Sequence, residues 1–387
     1  MTEKNRPIYE KHNSFVEIRH QNNDLLAVSM KRIAELSDKE DCLKNLSEPH
    51  RPIFDQLCKD LLSPTPENNR PCFSLSPNVV EEIATVSDAD LPRYLVHRYR
   101  YEIYPQNRIL DAYPPYLQIE PTSICNFRCV FCFETDPTFS DKSHGFMGQM
   151  SLDLFKQIID QAVGNIEFIS LASRGEPLIC KDIVPMLEYT RGKFLNLKIN
   201  TNASLLDEEK CHAILSGGVK TVVFSADAAT EPLYSKLRVN GNLATVLSNI
   251  ERFQKIRQIQ YSNLPVITRV SGVKFSDEQD INSMQKVWGD LVDQVAFVQY
   301  NPWENVYSQP ANGISKPCSD LWRRMFVWWD GQANPCDVDY KSTLSKGFLK
   351  DLDLTELWRS ADYEELRADH LNNKRESRKP CTACTVI

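Results

Sequence analysis

The stretch Tyr116-Leu117-Gln118-Ile119-Glu120-Pro121-Thr122-Ser123-Ile124-Cys125-Asn126-Phe127-Arg128-Cys129-Val130-Phe131-Cys132 opens as a strand and closes on three thiols. Tyr116–Glu120 alternates in the manner of a half-buried strand. The cysteines are spaced C-x3-C-x2-C within one loop. Three thiolates this close can hold three corners of a [4Fe–4S] cube and leave the fourth iron without a protein ligand. An open metal position is where a substrate or cofactor binds. Zinc and unligated cysteines are the competing readings. Structural zinc favours four ligands and C-x2-C pairs over a lone triple.

Downstream of this loop, helical and strand periods alternate. Ser151 is an N-cap, and Leu154, Phe155, Ile158, Ile159 and Ala162 recur at helical spacing. Ile166–Leu171 reads as a strand, 181–190 as a helix and Phe194–Asn200 as a strand. A helix runs from Asp207 to Leu215, with Gly217 and Gly218 as its stop. Val219–Ser225 and Val266–Val270 read as strands around a helix at Leu243–Ile256. Glu278–Trp288 is a helix and Gln294–Val298 the sixth strand. Six strand–helix units predict a parallel α/β sheet with right-handed crossovers, short of the eight that close a barrel. In such folds functional residues gather at the carboxyl ends of the strands.

Composition narrows the function. The 387 residues are 42% hydrophobic and 25% charged, as in globular proteins. With 45 Lys and Arg against 52 Asp and Glu, the net charge of −7 disfavours nucleic acid and anionic membrane as partners. Glycine is scarce, 13 residues, and no dinucleotide or P-loop glycine motif occurs. No apolar run reaches the roughly 18–20 residues of a membrane span. Met1–Pro7 lacks an apolar signal core, so a cytoplasmic location is expected, where thiols stay reduced. The twelve cysteines are then read by spacing. Cys42, Cys58, Cys72, Cys180 and Cys211 are scattered and read as packing residues. Residues 1–110 show helix-like stretches at Leu25–Leu36 and Ile53–Leu62, a loop at Ser63–Asn69 and no motif.

The triple Cys125, Cys129 and Cys132, with Phe131 inside it, resembles the cluster loop of the radical S-adenosylmethionine (SAM) enzymes. Ser173-Arg174-Gly175-Glu176-Pro177 looks like that family's Gly-Gly-Glu-Pro segment, with Arg174 in place of the first glycine. Asn200-Thr201-Asn202-Ala203 resembles its Thr-Asn-Gly turn, and Ser225-Ala226-Asp227 its Ser-x-Asp segment. Leu237-Arg238-Val239-Asn240-Gly241 looks like the stretch whose arginine meets the SAM carboxylate. The resemblance implies a partial (β/α)6 TIM barrel over 111–315. It implies SAM contacts at Phe131, Gly175, Glu176, Pro177, Thr201, Asn202, Ser225, Asp227 and Arg238. It also implies chelation of SAM by the open iron and its reductive cleavage to a 5′-deoxyadenosyl radical, which abstracts a hydrogen atom.

In the tail, 316–387, Cys318, Cys336, Cys381 and Cys384 are spaced C-x17-C-x44-C-x2-C around an Asp330-Gly331 turn and a Leu357-Trp358 pair. Four thiols suit either zinc or a fully ligated [4Fe–4S] cluster. Beside the barrel motifs, the tail resembles the twitch domain, the short form of the SPASM extension. It is similar in particular to that of the dehydrogenase type of butirosin biosynthesis. That implies one auxiliary cluster, closed to substrate and suited to electron transfer.

The resulting expectation is an oxidoreductase of dehydrogenase type. It would hold SAM and two [4Fe–4S] clusters and act on a small polar, sugar or aminocyclitol-like molecule. A peptide or protein side chain is the alternative substrate. A flavodoxin or ferredoxin would supply electrons, and no nucleic acid or membrane partner is expected. An oxidation needs a base near the substrate, for which Glu304, Asp337 and Asp339 are candidates, and Arg174 could touch substrate; Arg174, Glu304 and Asp337 are the candidate catalytic residues. Residues 1–110 are expected to form a mostly helical extension.

Overall fold

The computed structural model describes residues 15–17, 23–37, 39, 43–44, 46–63, 70–304, 306–345 and 347–387. Cys42 and the loop expected at 64–69 lie outside these residues. In chain order the strands are β1 Phe15–Glu17, β2 Tyr116–Ile119, β3 Arg128–Cys129 and β4 Phe168–Leu171. They continue as β5 Asn196–Thr201, β6 Val219–Ser225, β7 Arg238–Val239, β8 Ile267–Lys274 and β9 Gln294–Gln299. β10 Arg324–Val327 and β11 Ala333–Asn334 complete the set.

Six strands, β2-β4-β5-β6-β8-β9, pair in parallel in chain order, as the periodicity predicts. The local causes are visible. Ser151 accepts from the Leu154 amide and starts helix Leu152–Ala162, whose Phe155, Ile158, Ile159 and Ala162 are buried. Asp207 caps Glu208–Ser216 in the same way, through the Lys210 amide. Gly218 then turns the chain with φ +86° into β6.

The sheet does not end where the alternation ends. β10 pairs in parallel with β2, Arg324 opposite Tyr116 and Val327 opposite Ile119, and β11 folds back on it. At the other edge β1 runs antiparallel to β9, giving nine strands among the described residues. The tail is therefore continuous with the barrel sheet. Met325, Phe326 and Val327 are fully buried. Gly331, φ +86°, makes the β10–β11 turn expected at Asp330-Gly331.

The expected helical extension comprises Asn23–Ser37, Arg51–Leu62, Pro77–Ile83 and Leu91–Gln106. It has its own apolar core, including Ile33, Phe54, Leu57, Val79 and Leu95. That core reaches Tyr116 and Phe168, the first residues of β2 and β4. The helices therefore cover the amino-terminal mouth of the barrel, opposite the cysteine loop. No helix among the described residues is long and apolar enough to cross a membrane.

If β10 is a core strand, Met325→Ala leaves a cavity at a fully buried site and costs about 2–5 kcal/mol of stability. Thermal unfolding should show it as a clear drop in midpoint. Leu352→Ala, at a side chain 39% exposed, should change little.

Candidate cofactor and cluster sites

The chain leaves β2 through Glu120 and turns into the loop of Cys125, Cys129 and Cys132. The loop is gripped from two sides. β3 pairs with β7, setting Cys129 opposite Arg238. Gly175 lies so close beneath the loop that an added Cβ would sit 2.4 Å from the Thr122 carbonyl oxygen and 2.6 Å from that of Ile124. Only glycine fits there. The next residue, Glu176, donates its amide to the Ile124 carbonyl at 3.0 Å.

Around this loop the ends of the strands bring the expected SAM contacts together. The Glu176 carboxylate accepts from Thr201 Oγ1 at 2.6 Å and from the amides of Asn202, 2.6 Å, and Leu178, 3.1 Å. Pro177 opens the short turn that Glu176 caps. Asn202 Nδ2 donates to Asn126 Oδ1, inside the cysteine loop, at 2.9 Å. Ser225 closes β6, and the fully buried Asp227 follows two residues later. Asp227 Oδ2 lies 2.5 Å from Arg238 Nε, and its Oδ1 accepts from the Val273 amide. An Arg238 Nη donates to Cys129 Sγ at 3.8 Å. Phe131 packs on Phe275, ring centroids 5.7 Å apart.

The donor set fits an iron–sulfur cluster. Burial pushes the Cys125 thiol up to about 12 and raises Cys129 and Cys132 as well. Ligation is what would make them thiolates, with release of their protons. In the tail, Cys318, Cys336, Cys381 and Cys384 line one cavity, closed by Leu321, Val338 and Leu344 among others. Among the described residues, no three His, Cys, Asp or Glu side chains are gathered as a single ion would need. Arg375, 1% exposed, braces the final pair by donating to the carbonyls of Cys384, 2.6 Å, and Cys381, 3.3 Å.

The candidate catalytic residues separate. Arg174, expected to face substrate, is instead consumed by the fold. Its Nε and Nη2 donate to the two oxygens of Glu120 at 2.7 and 2.6 Å, and Nη1 donates to the Tyr340 carbonyl at 2.8 Å. It is 3% exposed and stacked 4.1 Å from the Trp328 ring. Glu304 follows β9 and accepts from the Tyr300 hydroxyl. Tyr300 meets Phe275 edge-on, so Glu304 connects to the Phe131 side of the cysteine loop. Asp337 lies instead on the auxiliary side, next to Cys336, where its charge acts on that thiol and on Arg324. Nearby Asp339 accepts from Tyr307, Thr343 and Leu344, and so shapes the hairpin.

Two residues escape a reading of the sequence. Glu134, 2% exposed, follows Cys132 by two positions, and neither of its oxygens has a hydrogen-bond partner among the described residues. Arg128 stands 3.5 Å away, and burial pushes the carboxyl up to about 8. An acid two positions after a cluster cysteine is the available signal. His370, fully buried, lines the auxiliary cavity. Its Nδ1 accepts from the Cys318 amide at 3.2 Å. Burial, with the Arg375 charge, brings it down to about 3, so the ring is neutral and Nε2 carries the proton. That Nε2 has no protein partner among the described residues.

Comparison with known proteins agrees with this geometry. The radical SAM superfamily model matches residues 119–283, and the SPASM iron–sulfur cluster-binding domain matches 318–385. The GTP 3',8-cyclase of Campylobacter lari is 26% identical over 198 residues, 50% of this chain and 56% of the cyclase. The chain thus spans little more than half of that relative. The tungsten-containing aldehyde ferredoxin oxidoreductase cofactor-modifying protein of Pyrococcus furiosus is 23% identical over 319 residues, 70% of this chain and 87% of that protein. Among solved structures, Streptococcus suis SuiB bound to its precursor peptide SuiA aligns with a TM-score of 0.56 at 15% identity, covering 94% of this chain and 83% of SuiB. BtrN in complex with AdoMet and 2-DOIA aligns with a TM-score of 0.46 at 15% identity, over 70% of this chain and 92% of BtrN. The cysteine loop that follows the first strand of the parallel sheet falls within the first match and the four tail cysteines within the second, so the chain carries a radical SAM domain followed by a SPASM iron–sulfur cluster-binding domain.

Proposed function

We propose that the chain is a radical SAM oxidoreductase of dehydrogenase type acting on a small polar substrate. The observation that carries this reading is the auxiliary cavity, which all four tail thiols line; four thiolates would complete a [4Fe–4S] cluster and leave no iron for substrate. A site saturated by protein is suited to moving electrons rather than to binding. When bound, SAM and the two clusters supply a hydrogen-abstracting radical and a one-electron acceptor.

The chain's own residues have four roles in this reading. Cys125, Cys129 and Cys132 would hold the first cluster, with Glu176, Asn202, Asp227 and Arg238 placing SAM beside it. Phe131, Phe275 and Trp303 exclude water; Trp303 Nε1 is pinned to the Phe131 carbonyl at 3.1 Å. Glu304, held by the Tyr300 hydroxyl at the carboxyl end of the barrel, is the proposed proton acceptor. The flavodoxin or ferredoxin donor belongs to the same proposal.

The two cysteine sets also share one apolar cluster. Phe133, Phe139, Val338, Tyr340 and Cys384 form its core, with Cys132 and Cys336 packed against it. Tyr340 stacks on Phe133 at 4.9 Å and 18°. A dry, packed path of this kind supports electron passage between the two sets.

Four outcomes test the reading. Anaerobically reconstituted protein should bind about eight iron atoms, and replacing Cys381 and Cys384 by Ala should leave about four. Wild type with SAM and reductant should form 5′-deoxyadenosine, and Cys129→Ala should form none. A substrate recovered without loss of two hydrogens would reject dehydrogenation, and a modified peptide would select the alternative substrate class. His370→Leu removes an N–H donor from the auxiliary cavity, so an EPR-monitored redox titration should show that cluster's midpoint lowered with its iron retained.

A further inference from the structure

The amino-terminal mouth of the barrel holds a cavity of about 550 Å³. Its walls include the first residues of four strands, Tyr116, Phe168, Asn196 and Arg324. Helices Pro77–Ile83 and Leu91–Gln106 of the extension close it through Asn78, Arg98 and Tyr101. It lies at the opposite end of the strands from the cysteine loop. In barrels of this kind the amino-terminal face ordinarily serves stability.

Its charge is unusual for that role. Five cations line it, Arg98, Lys198, Arg269, Arg323 and Arg324, against two carboxylates, Glu82 and Glu102. The whole chain carries −7, so this is a local reversal. The carboxylates are largely spent. Glu82 accepts from Tyr94 and from Asn196 Nδ2. Glu102 pairs with Arg98. Arg323 and Arg324 share Asp320, just behind the wall, at 3.7 and 3.8 Å. Lys198, half-buried on the barrel strand β5, makes no ion pair among the described residues. Its ammonium lies 5.8 Å from the Tyr116 ring centroid. Arg324 Nε and Arg98 Nε are buried and have no hydrogen-bond partner among the described residues.

The cations are also held in place. Arg324 lies 4.9 Å over the Tyr116 ring and donates to the Tyr101 hydroxyl at 2.7 Å. Arg323 and Arg98 lie over Tyr101 at 4.9 and 5.4 Å. Arg269 is fixed by Gln294 and Asn78 at 2.6 and 3.3 Å. Fixed guanidinium forks beside an ammonium with no carboxylate partner, in a half-enclosed space, match a compact multiply charged oxyanion. Lys198 adds a charge beside guanidinium groups that already share Glu102 and Asp320, and an excess of cations in reduced dielectric favours an anionic ligand.

We propose that this cavity is a binding site for a phosphate group, free or carried on a small organic ester, with Lys198, Arg269 and Arg324 as its main contacts. The extension then roofs an anion site on the face of the barrel away from the radical chemistry. The proposal does not depend on the reaction assigned above.

The test uses reconstituted full-length protein and isothermal titration calorimetry with inorganic phosphate and, separately, glycerol phosphate. Chloride is adjusted to constant ionic strength, because screening alone weakens exposed charges. Saturable phosphate binding with a dissociation constant below about 1 mM supports a free-anion ligand. Binding of glycerol phosphate alone supports an ester. Lys198→Gln and Arg269→Gln should each weaken binding about tenfold or more, as loss of a charge-assisted contact predicts. Both should keep the wild-type melting midpoint and form 5′-deoxyadenosine at the wild-type rate. The proposal is overturned if neither compound binds beyond the chloride control, or if both variants bind as wild type does.

Discussion

Glu120 and Arg174 form the contact on which the rest of the architecture depends. Glu120 is fully buried at the end of β2, and Arg174 stands three residues after β4. A buried ion pair is tolerated only when its geometry is good and its remaining hydrogen-bonding capacity is used. Here the guanidinium takes both carboxylate oxygens, and Glu120 also accepts from the amides of Arg174, 3.1 Å, and Trp329, 3.3 Å. The remaining terminal nitrogen reaches the Tyr340 carbonyl. Three pieces are thereby fixed together: the strand that feeds the cysteine loop, the turn that carries Gly175 and Glu176, and the tail hairpin. Ser173, at φ +151°, takes up the backbone strain of the turn. Removing either charge would leave the other buried and uncompensated.

This arrangement makes the two cysteine sets parts of one unit. β10 lies directly beside β2, so the tail leaves the sheet on the same side as the cysteine loop. Tyr340 then reaches back to stack on Phe133 and donates to Asp136, which also pairs with Lys341 at 2.6 Å. Burial pushes the Asp136 carboxyl up, but the Lys341, Thr138 and Tyr340 contacts outweigh it and bring it to about 2. The Asp136 carboxylate is therefore charged, and its pair with Lys341 intact, at neutral pH. The contact between the halves is therefore built from stacking, a cation and a shared sheet.

What the sequence discloses follows from what is periodic or close in the chain. The six parallel strands are legible because a half-buried strand and an amphipathic helix each write their period into the sequence. The cysteine loop is legible because its ligands fall within eight residues of one another. β10 is not legible as a barrel strand, because its partner β2 lies some two hundred residues earlier and the two are joined by no repeat. Arg174 is misread for the same reason. Its place in a motif suggests a cation at the site, and only the fold shows Glu120 opposite. Glu134 and His370 are defined by burial and by a missing partner, properties that no spacing encodes.

The two ends of the barrel answer opposite electrostatic problems. At the carboxyl end two buried ion pairs stand beside the cysteine loop, Asp227 with Arg238 and Glu120 with Arg174, while the Glu176 carboxylate is held by neutral donors. At the amino end the inner face offers Lys198, Arg269 and Arg324, and the carboxylates beside them are already committed. A net-acidic chain gains nothing in solubility by hiding cations there. Nor does packing require them, since aliphatic side chains fill that layer in barrels built for stability alone. The helical extension encloses this charge where a shorter chain would leave it open to water, and enclosure strengthens its pull on an anion as it lowers the local dielectric.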